Sequence, residues 1–508
     1  MATDSPTAAS AGPDPAGQAR NRPAPRSWGW TTPGGGRAAT VQAGVGYQGT
    51  TSQVCGLYPY AVSSGAAPRG VPIGRHMHTA EPVGLDPSEW LHQGLVTNTG
   101  LWVQGQPGVG KSTIIKRLMT GLTSFGFLGV VPGDVKGEYS PLVESLGGTV
   151  WRVGRGLARL NPLDIGPLRQ AVAAATGQAR AQLLETVRAR QLSLLEALIT
   201  IVRRQQSHPE ITTTERRLLG RALDLATTAD PTGEPVIPDL LRILEQAPEA
   251  VQQLTASADE RQFRRDAREL INSLGVLCEG AIRGMFDQRS TVAAPLDTPA
   301  MSLDISALHR DDDEVVAAAM LSSWAWSAAA IDATQAVGQR RNVFRPMDEL
   351  WRALRVAPGL VEYADRLTRL NRHEGEVTAQ STHSFDDLEA LPNPADVAKA
   401  RGMAARNGVL VLGGLDNKEI EAISRIAPLT SGETSLLTSW AAPPTWVAGM
   451  SHPGRGKYLI KSGERLGLPV AMSLTATERS LYDTDTAWHT NTAWPDQDPQ
   501  SPQQGVAA

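Results

Sequence analysis

The sequence predicts an α/β core interrupted by an all-helical insertion, and three observations carry that expectation. Residues 95–165 alternate short apolar runs with glycine and proline, as strand–helix units do. Residues 167–283 hold almost no strand pattern, and there Leu195, Leu198, Ile199 and Val202 fall on one helical face. From residue 284 the strand–helix alternation returns and continues to 485. The expected organisation is a disordered tail over 1–45, rich in Pro, Gly, Ala and Ser. The first part of the core is expected over 46–165, the insertion over 166–283 and the second part of the core over 284–486. A second disordered tail spans 487–508.

Composition narrows the function classes. The chain of 508 residues carries 48 Lys and Arg against 52 Asp and Glu, a net charge of −4. That balance excludes a globally basic nucleic-acid binder and leaves room for a local basic channel. Two cysteines, Cys55 and Cys278, cannot form a disulfide framework, which points to a reducing, cytoplasmic compartment. Residues 1–26 lack the apolar centre of a signal peptide. The longest uncharged apolar run, Val315–Ile331, contains three serines and is flanked by acids. A spanning helix needs about 20 predominantly apolar residues, so this run reads as a buried core helix.

The elements can be taken in order. Leu101, Trp102 and Val103 form a short apolar strand. Gly105, Gln106, Pro107, Gly108, Val109, Gly110, Lys111 and Ser112 then satisfy G-x-x-x-x-G-K-[ST] in full, with Thr113 next in the chain. Only seven of the basic residues are lysines, which makes a chance match improbable. Ile114, Leu118 and Leu122 mark one face of the helix that the loop opens. Glycines let such a loop wrap a polyphosphate, and the helix N-terminus aims N–H groups at its charge. Lys111 is placed to reach the β- and γ-phosphates of ATP, and the Ser112 hydroxyl to ligate Mg²⁺. Within the helical region, Thr212 and Glu215 have capping-box spacing. The pairs Arg203–Arg204, Arg216–Arg217 and Arg264–Arg265 sit among acids and read as helix-surface ion pairing.

A phosphate loop needs an acidic partner on another strand end. Asp348 and Glu349, after Asn342–Met347, are the candidates: Asp348 for Mg²⁺, Glu349 as general base toward the lytic water. Arg345 and Pro346 are expected to interrupt that strand, and the alternative is two surface acids starting a helix. Val377–Thr382 is a short strand whose Gln380 either positions water beside the γ-phosphate or simply ends the strand. Glu138 either touches the nucleotide or caps a strand.

Several segments together resemble the TraC-like conjugal-transfer ATPases of type IV secretion systems, within the HerA–FtsK superfamily of pumping ATPases. They are Pro72–Gly74, Leu85–Pro87, the loop Gly105–Ser112, Asp134–Tyr139, Leu146–Gly148, Leu160–Asp164, Gly284–Asp287, Leu303–Ser306, Asp348–Trp351, Gly456–Lys457 and Asp483–Thr484. The resemblance implies a RecA-like, mostly parallel sheet with an all-α insertion. It also implies a homo-oligomeric ring, a hexamer, with ATP at intersubunit sites. An arginine from the neighbouring copy then completes each site, and Arg369 or Arg372 has the matching position. The alternative is that both lie on a solvated helix face with Arg366. Implied partners are secretion or conjugation components at the membrane, with possible DNA contact and no transmembrane segment of its own. The family's large N-terminal docking domain is expected to be a separate polypeptide or absent. Two other functions compete: a DNA-translocating coupling protein or double-strand pump, and an ATP-binding assembly scaffold with little hydrolysis. Pro132 and Pro346 depart from the apolar strands usual at those places.

Overall fold

A computed structural model describes residues 69–482 apart from short gaps and one longer stretch, 349–374, within which only Leu354 and Val361 are described. The tails assigned to 1–45 and 487–508 lie outside the described residues, as do Glu349, Trp351, Arg366, Arg369, Arg372, Asp483 and Thr484.

The strands are β1 (Val71–His76), β2 (Pro82–Leu85), β3 (Leu101–Gln104), β4 (Leu128–Asp134), β5 (Thr149–Arg152), β6 (Ala300–Asp304), β7 (Val343–Met347), β8 (Glu376–Thr382), β9 (Val409–Leu412), β10 (Lys457–Lys461) and β11 (Leu468–Met472). They form one sheet in the order β2-β1-β11-β10-β9-β3-β8-β7-β4-β6-β5. From β9 to β5 every ladder is parallel. From β9 out to β2 every ladder is antiparallel. The sheet is thus mixed and mostly parallel, and the fold is α/β with an α-rich insertion.

Parallel strands are buried on both faces, and β3 (Leu101–Gln104) and β9 (Val409–Leu412) are accordingly near-continuous apolar runs. On one face lies α1 (Lys111–Ser124), the helix that the phosphate loop opens. Its Ile114, Ile115, Leu118, Met119 and Leu122 are fully buried against Leu101, Val103 and Phe344. Each such side chain contributes about 1.5–3 kcal/mol on burial. The short α2 (Ser140–Ser145) comes after β4 and shares this face.

The other face is covered by the insertion and by helices later in the chain. The main helices of the insertion are α3 (Gly177–Val202), α4 (Thr213–Ala229), α5 (Ile237–Gln246) and α6 (Arg268–Glu279). Leu195, Leu198 and Ile199 of α3 are fully buried, as their spacing predicts. The Thr212–Glu215 capping box is present: Glu215 N–H donates to Thr212 Oγ1 at 3.2 Å, and Thr212 N–H to Glu215 Oε2 at 2.9 Å. Asn161, in the turn leading to the insertion, ties it to the core. Its Nδ2 donates to Pro235 O at 2.9 Å and its Oδ1 accepts from Leu163 N–H at 3.0 Å.

One sequence expectation here is corrected. Arg203 is not a helix-surface residue: it is buried and forks onto Glu215 at 2.6 and 3.2 Å, with Ser273 Oγ accepting its Nε–H. Arg216 and Arg264 are exposed and pair with Glu196 and Glu260.

The apolar run Val315–Ile331 falls in α7 (Asp313–Ala336), which packs on β4 and α3. By length and composition the stretch Asp313–Thr334 could cross a membrane, yet 78% of its most apolar window is buried inside the fold. Later in the chain come α8 (Pro394–Arg406), α9 (Asn417–Ser424), α10 (Ser431–Ala441) and α11 (Ala476–Tyr482).

The expected interruption of the acidic strand is also corrected. β7 runs straight through Arg345 and Pro346. Arg345 is buried but donates to Glu376 Oε1 on β8 at 2.9 Å. Val343 N–H donates to Gly375 O on the β8 side. Strand alternation therefore turns the Pro346 nitrogen toward β4, and the β4–β7 ladder has already ended at Gly129 and Phe344. The proline lacks a donor where no β4 acceptor requires one.

Candidate functional site: the phosphate loop and its acidic partner

The loop Gly105–Gly110 joins β3 to α1 across the ends of the parallel strands. Gly110 is the N-cap of α1 and sits at φ +101°, and a Cβ there would lie 2.6 Å from the Tyr458 hydroxyl. Both constraints require glycine. No side chain caps α1, and no acidic residue stands in its first turn. The first-turn N–H groups and the positive end of the helix dipole are therefore available to an anion.

Neighbouring strands brace the loop. Gln106 N–H donates to Gly414 O at 3.0 Å and Gly413 N–H to Gln104 O at 2.8 Å, both beyond β9. From the β10 side, Gly456 N–H donates to Val109 O at 3.0 Å, and the Tyr458 hydroxyl to Gly110 O at 2.7 Å. The sequence singled out Gly456 only through the family resemblance, and Tyr458 not at all.

Asp348, just past β7, meets the loop. Ser112 Oγ donates to Asp348 Oδ2 at 2.9 Å. The Tyr139 hydroxyl donates to the same oxygen at 3.2 Å, and Ser381 Oγ donates to Oδ1. Three hydroxyls from three segments thus converge on one carboxylate, on the strand order β3-β8-β7-β4. Burial, and then the Asp348 charge, push the Tyr139 hydroxyl pKa well above its ordinary value.

The segment Asp134–Tyr139 wraps the other side. Asp134 ends β4 and accepts N–H bonds from Glu138 at 3.1 Å and Tyr139 at 2.7 Å, which fixes the turn. Burial pushes its carboxyl up to about 7, with Asp304 adding to the shift against those two bonds. Glu138 lines the cavity beside the loop, and its Oε2 lies 3.6 Å from the buried Lys116 ammonium of α1. Of the two readings open for Glu138, the structure therefore places it at the cavity. Lys116 also lies over the Tyr139 ring, 5.6 Å from its centroid, and burial holds its pKa below the usual lysine value.

The cavity encloses about 270 Å³ and is lined by Pro107, Gly108 and Gly110–Thr113 together with Lys136, Glu138, Asp348, His383, Arg455 and Tyr482. Lys111, 7% exposed, donates to Gly105 O at 2.8 Å, Gln106 O at 3.3 Å and His383 Nδ1 at 2.8 Å.

The structure does not bring Gln380 to the loop. It is fully buried, and its carboxamide oxygen accepts from Asn407 Nδ2 at 3.1 Å. Successive strand residues face opposite sides, so the neighbour Ser381 takes the Asp348 side instead. Gly105–Thr113 and Asp348 are brought together, whereas Glu349, Arg369 and Arg372 lie outside the described residues. The functional neighbours missed in the sequence are Tyr139, Ser381, His383 and Tyr458. Tyr139 and Ser381 lie inside segments that were singled out, His383 and Tyr458 one residue beyond such segments, and only strand register reveals their direction. Among the described residues no cluster of three or more His, Cys, Asp or Glu has metal-site geometry.

With this arrangement in view, solved structures offer a comparison. The chain aligns over 82% of its length with 99% of VirB4 of Thermoanaerobacter pseudethanolicus, at 19% identity and a TM-score of 0.58. The two share a fold. A looser alignment reaches the plasmid coupling protein TrwB in complex with a non-hydrolysable ATP analogue: 81% of this chain, 96% of that one, 13% identity, TM-score 0.47. No protein-family model and no curated protein matches the sequence.

The donor set suits a hard divalent cation. A hydroxyl and a carboxylate oxygen stand 2.9 Å apart, beside a helix N-terminus and an ammonium that favour phosphate. Ser112 and Asp348 are the residues that would hold Mg²⁺.

Proposed function

We propose that this chain is an ATP-hydrolysing motor that energises a conjugative DNA-transfer or type IV secretion apparatus. The observation that carries the reading is the 2.9 Å hydrogen bond from Ser112 to Asp348, which joins the phosphate loop to an acidic strand end across β8. The shared fold with VirB4 and the order of the sequence motifs support the assignment to secretion.

On this reading the backbone of Gly105–Thr113 and the N-terminus of α1 cradle the triphosphate, and Lys111 meets the β- and γ-phosphates. Mg²⁺, held through Ser112 and Asp348, would neutralise charge on the phosphates. Ser381 and Tyr139 orient the Asp348 carboxylate by donating to it. Glu349, adjacent in the chain, takes the proton of the attacking water as its oxygen bonds to the γ-phosphorus and the bond to ADP breaks. Arg369 or Arg372 of a neighbouring copy stabilises charge on the transferring group, in a ring of six.

Steady-state ATP turnover tests the core of this proposal. Lys111→Ala removes the ammonium that meets the phosphates and is expected to reduce turnover to background; undiminished turnover would overturn the site. Glu349→Gln is expected to hold ATP unhydrolysed and to raise the mass measured by light scattering. A monomer with and without ATP would remove the intersubunit assignment. Adding single- or double-stranded DNA separates the translocase alternative, for which turnover should rise several-fold and fall with salt.

A further inference from the structure

We propose that His383 is an intramolecular competitor for Lys111 that lowers the affinity of the phosphate loop, and that Glu419 holds it in that position. The inference rests on reading Gly105–Thr113 as a nucleotide site.

An ammonium only donates, so at the 2.8 Å contact the His383 Nδ1 accepts from Lys111. The backbone carbonyls of Gly105 and Gln106 accept from the same ammonium. A phosphate that draws Lys111 toward itself must compete with these acceptors. The carbonyls belong to the loop itself and travel with it. His383 comes from a different segment, the turn after β8, and lines the same cavity. It is the one of these three acceptors whose hold on Lys111 is set by packing elsewhere.

That packing is specific. Glu419, in the first turn of α9, accepts from Ser384 Oγ at 2.5 Å and from Phe385 N–H at 3.0 Å. Its Oε2 also accepts from Gln104 Nε2, on the residue directly before the loop. Asp386 pairs with Lys418 at 2.5 Å, and the Phe385 ring stacks on Trp102 with centroids 5.9 Å apart. One carboxylate thus brackets the end of β3 and the turn carrying His383. The two ends of the Lys111–His383 contact are fixed relative to one another before any phosphate arrives. Glu419 is a positioning residue and touches no phosphate.

The experiment is calorimetric titration of the full-length chain with ADP and Mg²⁺, which avoids turnover. His383→Ala removes the competing acceptor and is expected to tighten ADP binding roughly three- to tenfold, the scale of one typical net hydrogen bond. His383→Gln restores an acceptor on a side chain of similar reach and should return affinity toward wild type. Glu419→Gln weakens the bracket and should fall between the two. Unchanged or weaker binding in His383→Ala overturns the proposal; weaker binding would put His383 on the phosphate itself. If wild type binds no ADP, the nucleotide reading fails and this inference with it. If wild type binds and Lys111→Ala does not, the nucleotide reading stands whatever the His383 variants show.

Discussion

The pair Arg345–Glu376 allows a stability prediction worked from the structure. Arg345 on β7 and Glu376 on β8 are about 2% exposed, with 2.9 Å between the charged groups. At an effective dielectric near 20 their attraction is about 6 kcal/mol, and desolvation costs several kcal/mol for each ion. The pair as a whole is therefore close to neutral. Removing one member is different, because the other remains buried without its counter-charge, at a cost of about 3–5 kcal/mol. The two single variants should also differ. In Arg345→Met the remaining Glu376 can take up a proton and become neutral. In Glu376→Gln the remaining Arg345 cannot shed its proton. Glu376→Gln should therefore be the less stable of the two at neutral pH. The double variant Arg345→Met/Glu376→Leu should lie near wild type. Denaturant unfolding of the full-length proteins at neutral pH reads all three. Single variants as stable as wild type, or a double variant as unstable as the worse single one, would refute the reasoning.

Tyr139→Phe removes one donor to Asp348 Oδ2 while keeping the ring over Lys116. ATP turnover should drop about tenfold or more, since a single hydrogen bond to a charged group contributes about 1.5–3 kcal/mol. Equal turnover would show that Ser112 and Ser381 suffice to orient the carboxylate. Asp134, with its carboxyl pushed up to about 7, binds a proton in the folded state that the unfolded chain has already released. Its contribution to stability is present below pH 4 and is lost as pH rises through 7, by up to about 4 kcal/mol. Comparing wild type with Asp134→Asn in thermal unfolding between pH 5 and 8 should show wild type losing stability relative to the variant as pH rises toward 7. A pH-independent difference would reject the assignment.

Local patterns made much of this molecule legible in advance. The loop residues Gly105–Ser112, the apolar face Ile114–Leu118–Leu122 and the Thr212–Glu215 cap are each written within a few positions of chain, where spacing and direction are coupled. The core helix around Val315–Ile331 was readable for the same reason. Directions within strands were not. Gln380 and Ser381 are adjacent polar residues toward the end of one strand, and nothing local says which one faces Asp348. Register with β3 and β7 decides it, over a separation that no local pattern spans. Arg203 shows the same limit in a helix: its partner Glu215 is visible twelve residues on, but its burial depends on Ser273 and on packing by the rest of the insertion.

The prolines inside two core strands have a common consequence. Leu128 N–H donates to Asn342 O on the β7 side and Gly129 N–H to Pro299 O on the β6 side, so alternation turns the Pro132 nitrogen toward β7. Pro346 turns its nitrogen toward β4. Two positions without a donor therefore stand on the facing edges, and the β4–β7 ladder stops at Gly129 and Phe344, short of both. Toward β6 the register of β4 also shifts between Val131 and Asp134. Adjacent parallel strands held to their ends would leave no opening between them. Freed after Gly129, β4 and the turn after it hold Tyr139 and Glu138 beside Asp348, and a small crevice lined by Val131, Asp134, Lys136, Glu138, Tyr139 and Asp348 lies there. The departures from an apolar strand are thus a local means of ending a ladder at the point where the acidic partner must be reached from a third segment.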